Sequence, residues 1–268
     1  MSDGHAVDRF VQIGSLTKVV TGTVLSRMAA SGALTLDDPV ERWLPTTAPG
    51  TGITLLHLAR HTSGLPRLPP GHFSGRDPYA AFDRPALDRL LPRLDTLVTA
   101  PPGTEEYSNL GYAVLGAALT AASGATYEEL VTEYVLRPLD ITEMTAHPDP
   151  GRRLLAPGPL GRPRRPWTMD GAILPAGGLW ATPRAAADLV VRLLVERRLG
   201  EPAPSWQRAG RLLWHNGATR YDSIFAGVVE DGRWVLIHRL NGVPEDTDRM
   251  GIENLKERQT TQAPDLPR

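Results

Sequence analysis

Residues 10–31 of the 268-residue chain read FVQIGSLTKVVTGTVLSRMAAS. Their apolar side chains recur every three or four positions, which predicts a helix over residues 15–31 that ends at Gly32. Ser15 and Lys18 stand three positions apart, so both project from one side of the first helical turn. The free N–H groups and the positive dipole end of such a turn favour a serine alkoxide and any oxyanion formed by its attack. The pair is therefore a candidate nucleophile and base.

Lysine is nearly absent from the chain. Among its 29 basic residues, only Lys18 and Lys256 are lysines. A guanidinium stays protonated, whereas an ammonium that is removed from water can lose its proton and act as a base. A lysine kept inside the folded part therefore indicates a role that arginine cannot fill. Neither lysine lies in a G-x-x-x-x-G-K phosphate-binding loop.

Composition excludes several classes of protein and site. The chain has no cysteine, which excludes disulfides, thiolate metal sites, iron–sulfur clusters and a cysteine nucleophile. Its formal net charge of -1 gives no support for nucleic acid or an anionic membrane as a partner. The longest apolar stretch, residues 112–122, is far shorter than the ~20 residues that a membrane-spanning helix needs. Residues 1–14 lack a basic segment followed by an apolar one, so we expect a cytoplasmic protein.

Helical patterns fill the first part of the chain and strand patterns the last. Thr126 and Glu129 form a capping box, and Thr182-Pro183 is a second helix start. The predicted helices cover residues 15–31, a short stretch to Trp43, 54–61, 85–94, 110–122, 126–136, 182–195 and 246–256. The predicted strands cover residues 211–215, 221–229 and 234–240, with a hairpin turn at Asp231-Gly232. Helices followed by an antiparallel meander indicate an α+β fold.

Two further motifs carry polar side chains next to these elements. Tyr107-Ser108-Asn109 comes directly before the apolar helix, where Asn109 could act as its cap and Tyr107 could pack in the core. His215-Asn216-Gly217 begins at the last residue of the first predicted strand, and a glycine in such a β-run often marks the close approach of a ligand. Each motif is weak evidence alone.

In this order, the motifs resemble the superfamily of serine β-lactamases, penicillin-binding proteins and related esterases. The likeness is greatest to the branch of class C enzymes, D-alanyl-D-alanine carboxypeptidases and carboxylesterases, and runs from about Phe10 to Gly242. The stretches that carry it are FVQIGSLTK, GALTLDDPVERWLP, ITLLHLARHTSGLP, PPGTEEYSNLGYAVLG, LRPLDITEM, PAGGLWATPRAAADL and HNGAT. The resemblance implies a β-lactamase/transpeptidase-like fold, in which helices flank an antiparallel sheet beside a mostly helical lobe.

The same resemblance sets expectations for domain organisation. We expect one domain over residues 1–256, with a helical lobe at about 15–145 and a helix with the C-terminal sheet at about 170–256. Residues 257–268 are expected to form a disordered tail. Only fourteen residues precede Ser15, so the helix and strands that the family usually has before it are expected to be missing. That would leave a sheet edge unpaired, through which the chain could form a homodimer.

The resemblance also implies roles for four residues around the serine. Ser15 would be the nucleophile, and Lys18 would take its proton, with Tyr107 acting as a phenolate or as a proton relay. Asn109 would hold Lys18 and an amide of the substrate. Neither a metal nor an organic cofactor is implied.

Three residues of the first predicted strand receive roles in the same way. The oxyanion would lie between the N–H groups of Ser15 and Ala218. Gly217, which has no side chain, would let the substrate lie along the strand edge. His215 stands where the lactamases carry an ammonium group, and is expected to be a weaker, pH-dependent cation.

The predicted function is that of a serine hydrolase acting on small-molecule esters, amides or lactams through a Ser15 acyl-enzyme. An acyltransferase using the same acyl-enzyme and a catalytically weak binding or scaffold relative are the alternatives. His57 and His61 stand four positions apart on one helix, as metal ligands can, but Leu58 occupies the position of the glutamate in a zinc hydrolase motif. We therefore interpret this stretch as structural.

Overall fold

The structure is a computed structural model that describes residues 5–71 and 77–260. Its helices are α1 Thr17–Ala30, α2 Val40–Trp43, α3 Leu55–Ala59, α4 Arg84–Leu90, α5 Asn109–Ser123, α6 Tyr127–Val131, α7 Leu174–Gly177, α8 Pro183–Val190 and α9 Pro244–Thr260. Its strands are β1 Val11–Gln12, β2 Met144–Thr145, β3 Trp180–Ala181, β4 Gln207–Ala209, β5 Leu212–Ala218, β6 Asp222–Val229 and β7 Trp234–Leu240. A 3-10 turn, Gly14–Leu16, precedes α1, and α6 and α8 continue through the π-helical turns Thr132–Leu136 and Val191–Val195.

Helix α1 lies at the centre of the molecule. Every residue from Thr17 to Leu25 is buried, so this helix is covered on all sides rather than on one face. Gly22 makes this packing possible, because a side chain there would collide with Ser205. Helix α5 is equally buried and packs through Gly116 against Pro175 of α7. The helix predicted over residues 15–31 is thus confirmed, with its first turn wound as a 3-10 turn.

The main sheet has four antiparallel strands in the order β4-β5-β6-β7. Strands β5 and β6 pair from Leu212–Val229 to Ala218–Ser223, and β6 and β7 form the predicted hairpin. A small second sheet has the order β1-β3-β2 and fixes the segment that leads into α1. Helices and an antiparallel sheet around a shared core confirm the α+β fold.

Two strand boundaries differ from the sequence-based expectation. Strand β4 was not predicted, because its residues are polar and largely exposed and form a short edge. Strand β5 extends to Ala218 rather than ending at His215, so the candidate site residues themselves continue the strand.

Strand β7 pairs with β6 on one side and, among the described residues, with no strand on the other. Helix α9 packs across β6 and β7. A groove of about 690 Å³ runs beside β7, and Val11, Leu236 and Met250 contribute to its walls. Within the described ranges the sheet therefore has an open edge, as the sequence predicts.

Helix α9 runs to Thr260, so residues 257–260 are helical rather than part of the expected disordered tail. The rest of that predicted tail, residues 261–268, lies outside the described residues. None of the helices in the described part of the chain is long and apolar enough to cross a membrane.

Candidate active site

Ser15 lies in the 3-10 turn between β1 and α1 and is partly exposed. The preceding residue, Gly14, has a φ of 49°, a backbone conformation that favours glycine. A side chain at Gly14 would approach the carbonyl oxygen of Ala218 to 3.0 Å. The turn that carries the serine therefore rests directly against the end of β5.

Lys18 is fully buried one turn further along α1. Its Nζ lies 3.1 Å from Ser15 Oγ, 2.8 Å from Asn109 Oδ1 and 2.6 Å from the carbonyl oxygen of Ala176. Burial, aided by the nearby charge of Arg67, holds the pKa of Lys18 well below its ordinary value. A neutral amine has two N–H groups and one lone pair. The carbonyl oxygens of Asn109 and Ala176 can only accept, so once Lys18 is deprotonated its two N–H groups donate to them and its lone pair faces Ser15 Oγ.

Tyr107 approaches the serine from the other side. Its hydroxyl donates to Ser15 Oγ at 2.7 Å. Burial raises the pKa of Tyr107 to about 12, so the group is a neutral phenol at neutral pH. The ring stacks on His61 with centroids 4.3 Å apart. Of the two predicted roles for Tyr107, this environment disfavours the phenolate and favours the proton relay.

Asn109 is the first residue of α5 and points toward the serine. Its Oδ1 accepts from Lys18, while its Nδ2 donates to the hydroxyl of Tyr79 at 3.0 Å. The cap of α5 is Ser108, whose hydroxyl accepts from Gly111 N–H at 2.7 Å. The suggestion that Asn109 caps the helix is therefore wrong, and its amide is available to orient the lysine.

The end of β5 presents a free backbone edge beside the serine. Strand β4 pairs only with residues 212–214 of β5. Thr219 N–H donates to Asp222 O, so by the alternation of an antiparallel ladder the next pair, Ala218 with Ser223, is not hydrogen-bonded. The N–H of Ala218 therefore points away from β6. This leaves it available, with the N–H of Ser15, as an oxyanion donor.

Gly217 packs directly against the turn that carries Ser15. A Cβ at this position would stand 2.9 Å from Ser15 N and 2.8 Å from Ile13 O. The missing side chain therefore makes room for the serine turn.

Comparison with known proteins places this geometry in a family. The sequence model of the beta-lactamase family matches residues 5–235. The chain belongs to the beta-lactamase family.

Curated relatives carry peptidase and esterase names. The D-alanyl-D-alanine-carboxypeptidase/endopeptidase AmpH of Escherichia coli is 37% identical over 186 residues, which cover 66% of this chain and 47% of that protein. The esterase EstB of Burkholderia gladioli is 29% identical over 189 residues, which cover 63% of this chain and 46% of that protein. The chain thus spans about half the length of these relatives.

Solved structures of the family share the fold. A Yersinia pestis structure described as beta-lactamase/D-alanine carboxypeptidase aligns with a TM-score of 0.76 at 22% identity, covering 96% of this chain and 85% of that one. A class C beta-lactamase from Rhodobacter sphaeroides aligns with a TM-score of 0.78 at 19% identity, covering 96% and 87%. The β-lactamase-like fold predicted from the motifs is therefore confirmed.

In this member of the beta-lactamase family, His215 differs from the predicted cation. The ring is fully buried, and burial lowers its pKa to about 4. Its Nδ1 donates to the carbonyl oxygen of Asn216 at 2.6 Å. His215 is therefore neutral at neutral pH and does not supply positive charge to a substrate.

His57 and His61 each accept a hydrogen bond from a backbone N–H and so stabilise the local structure. His57 Nδ1 accepts from Thr54 N–H at 3.2 Å within the cap of α3, and His61 Nδ1 accepts from Ser108 N–H at 3.1 Å. Across the residues that the structure describes, no three His, Asp or Glu side chains are grouped so that they could hold a metal ion.

Three groups of the site were not predicted from the sequence. The carbonyl of Ala176 and the hydroxyl of Tyr79 complete the hydrogen bonds of Lys18 and Asn109. The guanidinium of Arg67 lies over the Tyr107 ring, 5.2 Å from its centroid. A backbone carbonyl has no sequence signal, and the other two stand in loops with no periodic pattern.

Proposed function

We propose that this protein is a serine hydrolase that cleaves ester or amide bonds through an acyl-enzyme on Ser15. One observation carries the proposal: Ser15 Oγ lies between Lys18 Nζ at 3.1 Å and Tyr107 OH at 2.7 Å. A nucleophile within hydrogen-bond reach of a neutral amine and a phenol has both a base and an acid for acyl transfer.

Acylation begins when Ser15 Oγ attacks the carbonyl carbon of the substrate and its proton passes to Lys18 Nζ. The negative charge that develops on the carbonyl oxygen is stabilised by the N–H groups of Ser15 and Ala218. When the tetrahedral intermediate collapses, Tyr107 gives its proton to the departing oxygen or nitrogen and takes up the proton that Lys18 received from Ser15. The products of this step are the acyl-enzyme and the free alcohol or amine.

Deacylation uses the same groups in reverse. Water gives a proton to Lys18 as it attacks the ester carbonyl, and Ser15 Oγ leaves with that proton returned from Lys18. The products are a carboxylic acid and free Ser15. An alcohol or amine in place of water would give acyl transfer by the same steps.

The relatives support the substrate class but not a particular substrate. One is named as a carboxypeptidase/endopeptidase and another as an esterase, so cleavage of both amide and ester bonds occurs on this family's fold. We therefore propose small-molecule esters, amides or lactams as substrates.

Intact-protein mass spectrometry after a fluorophosphonate probe tests the proposal. We expect one adduct per chain on the wild type and none on Ser15→Ala. Ser31→Ala is the matched control, because Ser31 is an exposed hydroxyl at the other end of α1 that donates to Met28 O. A wild type that takes up no probe, or an adduct that persists in Ser15→Ala, would favour the binding or scaffold alternative.

A further inference from the structure

Arg67 lies beside the proposed site, against the residues that follow Tyr107. Its backbone oxygen accepts from Asn109 N–H at 2.9 Å, and the oxygen of the preceding Pro66 accepts from Ser108 Oγ at 2.8 Å. The loop is thus tied to the start of α5. The guanidinium itself is exposed and lies 5.2 Å from the centroid of the Tyr107 ring.

Within the part of the chain that the structure describes, Arg67 has no ion-pair partner. Of the ion pairs formed within residues 5–71 and 77–260, none includes this residue. The charge of Arg67 favours lower pKa values for both Lys18 and Tyr107, although burial keeps the pKa of Tyr107 raised. Arg67 therefore acts electrostatically on the two groups that contact Ser15. An exposed guanidinium without an ion-pair partner is free to attract an anionic group of a ligand.

The other candidate cations of the site are buried, and burial disfavours their charged forms. Lys18 is buried with a depressed pKa, and His215 is buried and neutral. Arg67 therefore places an exposed positive charge next to Tyr107, from a loop rather than from β5.

We propose that Arg67 binds an anionic group, such as a carboxylate, on the leaving-group part of the substrate; this inference rests on the proposed function. Tyr107 protonates the departing atom in that mechanism, so the leaving group lies against Tyr107, whose ring Arg67 covers. A guanidinium offers a carboxylate two parallel N–H donors, which makes it suited to such a group. Arg67 is then the residue that selects substrates by charge.

Two esters that share the acyl group and differ in the charge of the leaving group test the inference. They are the hexanoate ester of 4-hydroxy-3-nitrobenzoic acid and the hexanoate of its methyl ester, and both release a coloured nitrophenolate. We expect wild type to prefer the anionic ester and Arg67→Gln to lose about 10-fold in that preference, as kcat/KM. Arg67→Lys keeps part of it. Arg184→Gln, an exposed arginine on α8 with the same charge change, leaves it unchanged.

Using the ratio of the two esters separates binding of the anion from the effect of Arg67 on Lys18, because both esters use the same base. High salt should lower the wild-type preference, since an exposed ion pair is screened. An equal ratio in wild type and Arg67→Gln, with both esters hydrolysed, overturns the assignment of Arg67 alone. A folded wild type that hydrolyses neither ester and takes up no probe overturns the proposed function and this inference with it.

Discussion

Replacing Gly217 by alanine tests whether the serine turn must rest on β5. The new Cβ would stand 2.9 Å from Ser15 N, 2.8 Å from Ile13 O and 2.7 Å from Ile224 Cγ2. Two of these three atoms belong to the backbone, so rotation of a side chain cannot relieve the contact. The serine turn must move away from the strand by on the order of 0.5 Å to restore ordinary contact distances.

That displacement separates the two proposed oxyanion donors. Loss of one such donor typically costs about 10²- to 10³-fold in kcat, and we expect Gly217→Ala to lose about 10²-fold, with KM little changed. Overpacking of this kind also costs roughly 1–3 kcal/mol of stability, which for a chain of this length lowers Tm by about 2–4 °C per kcal/mol.

Ester hydrolysis and thermal melts measure both effects, with Gly227→Ala as the matched control. Gly227 lies on the neighbouring strand β6, and a Cβ there would meet the ends of the Phe225 and Leu212 side chains at 3.0 and 3.2 Å. Those atoms can move, so the control keeps its activity. A Gly217→Ala protein that melts near wild type and hydrolyses esters at the wild-type rate would refute the packing argument.

Four further outcomes follow from the geometry. Lys18→Arg should abolish probe uptake as fully as Ser15→Ala, because a guanidinium cannot accept a proton. Lys256→Arg, on the exposed face of α9, is the control. Full labelling of Lys18→Arg would show that the lysine is not the base. Tyr107→Phe should keep the fold, since its ring still stacks on His61, and lose about 10²-fold in turnover; unchanged hydrolysis would make Tyr107 a packing residue only. Stability should fall as pH drops from 6.5 to 5, because burial lowers the pKa values of His61, His215 and His238 in the folded state, so these side chains take up protons on unfolding. Asp222, whose folded pKa is raised to about 7, has the opposite effect. The net uptake grows from about 0.7 proton at pH 6.5 to about 1.8 at pH 5, which gives a slope of about 1 to 2.4 kcal/mol per pH unit in urea titrations. Asp222→Asn should steepen the slope, and a flat profile would contradict the assignment to the three histidines. The open edge at β7 should cause dimerisation or concentration-dependent aggregation, which light scattering detects. Trp234→Lys, at the rim of the groove, should reduce this association. A monomer at every concentration would show that the edge is not used.

Local signals in the sequence predict much of the fold. The capping box of Thr126 and Glu129 and the cap at Thr182 form as expected, because each depends only on neighbouring residues. The strands of the meander follow from their β-branched and aromatic residues. The short strand β4 and the two-residue strands of the small sheet have no such pattern, since pairing with distant segments creates them.

The candidate site likewise has features that the sequence predicts and features that it does not. Spacing along one helix is enough to bring Ser15 and Lys18 together, and the order of motifs predicts that Tyr107 and Asn109 join them. The charge state of His215 could not be predicted, because it depends on complete burial by other elements. Sequence patterns predict which residues meet, whereas burial decides how they ionise.

The burial of Lys18 gives the chain a natural reporter of motion. Besides the amino terminus, an amine-reactive reagent finds only two targets in this protein: Lys256 on the outside of α9 and Lys18, which has no exposed surface. The exposed Lys256 is open to the reagent in the folded protein, while Lys18 reacts only in the moments when α1 and α5 separate. The ratio of the two rates, followed by peptide mass spectrometry, measures how often the core around the serine opens, without a label or an engineered residue.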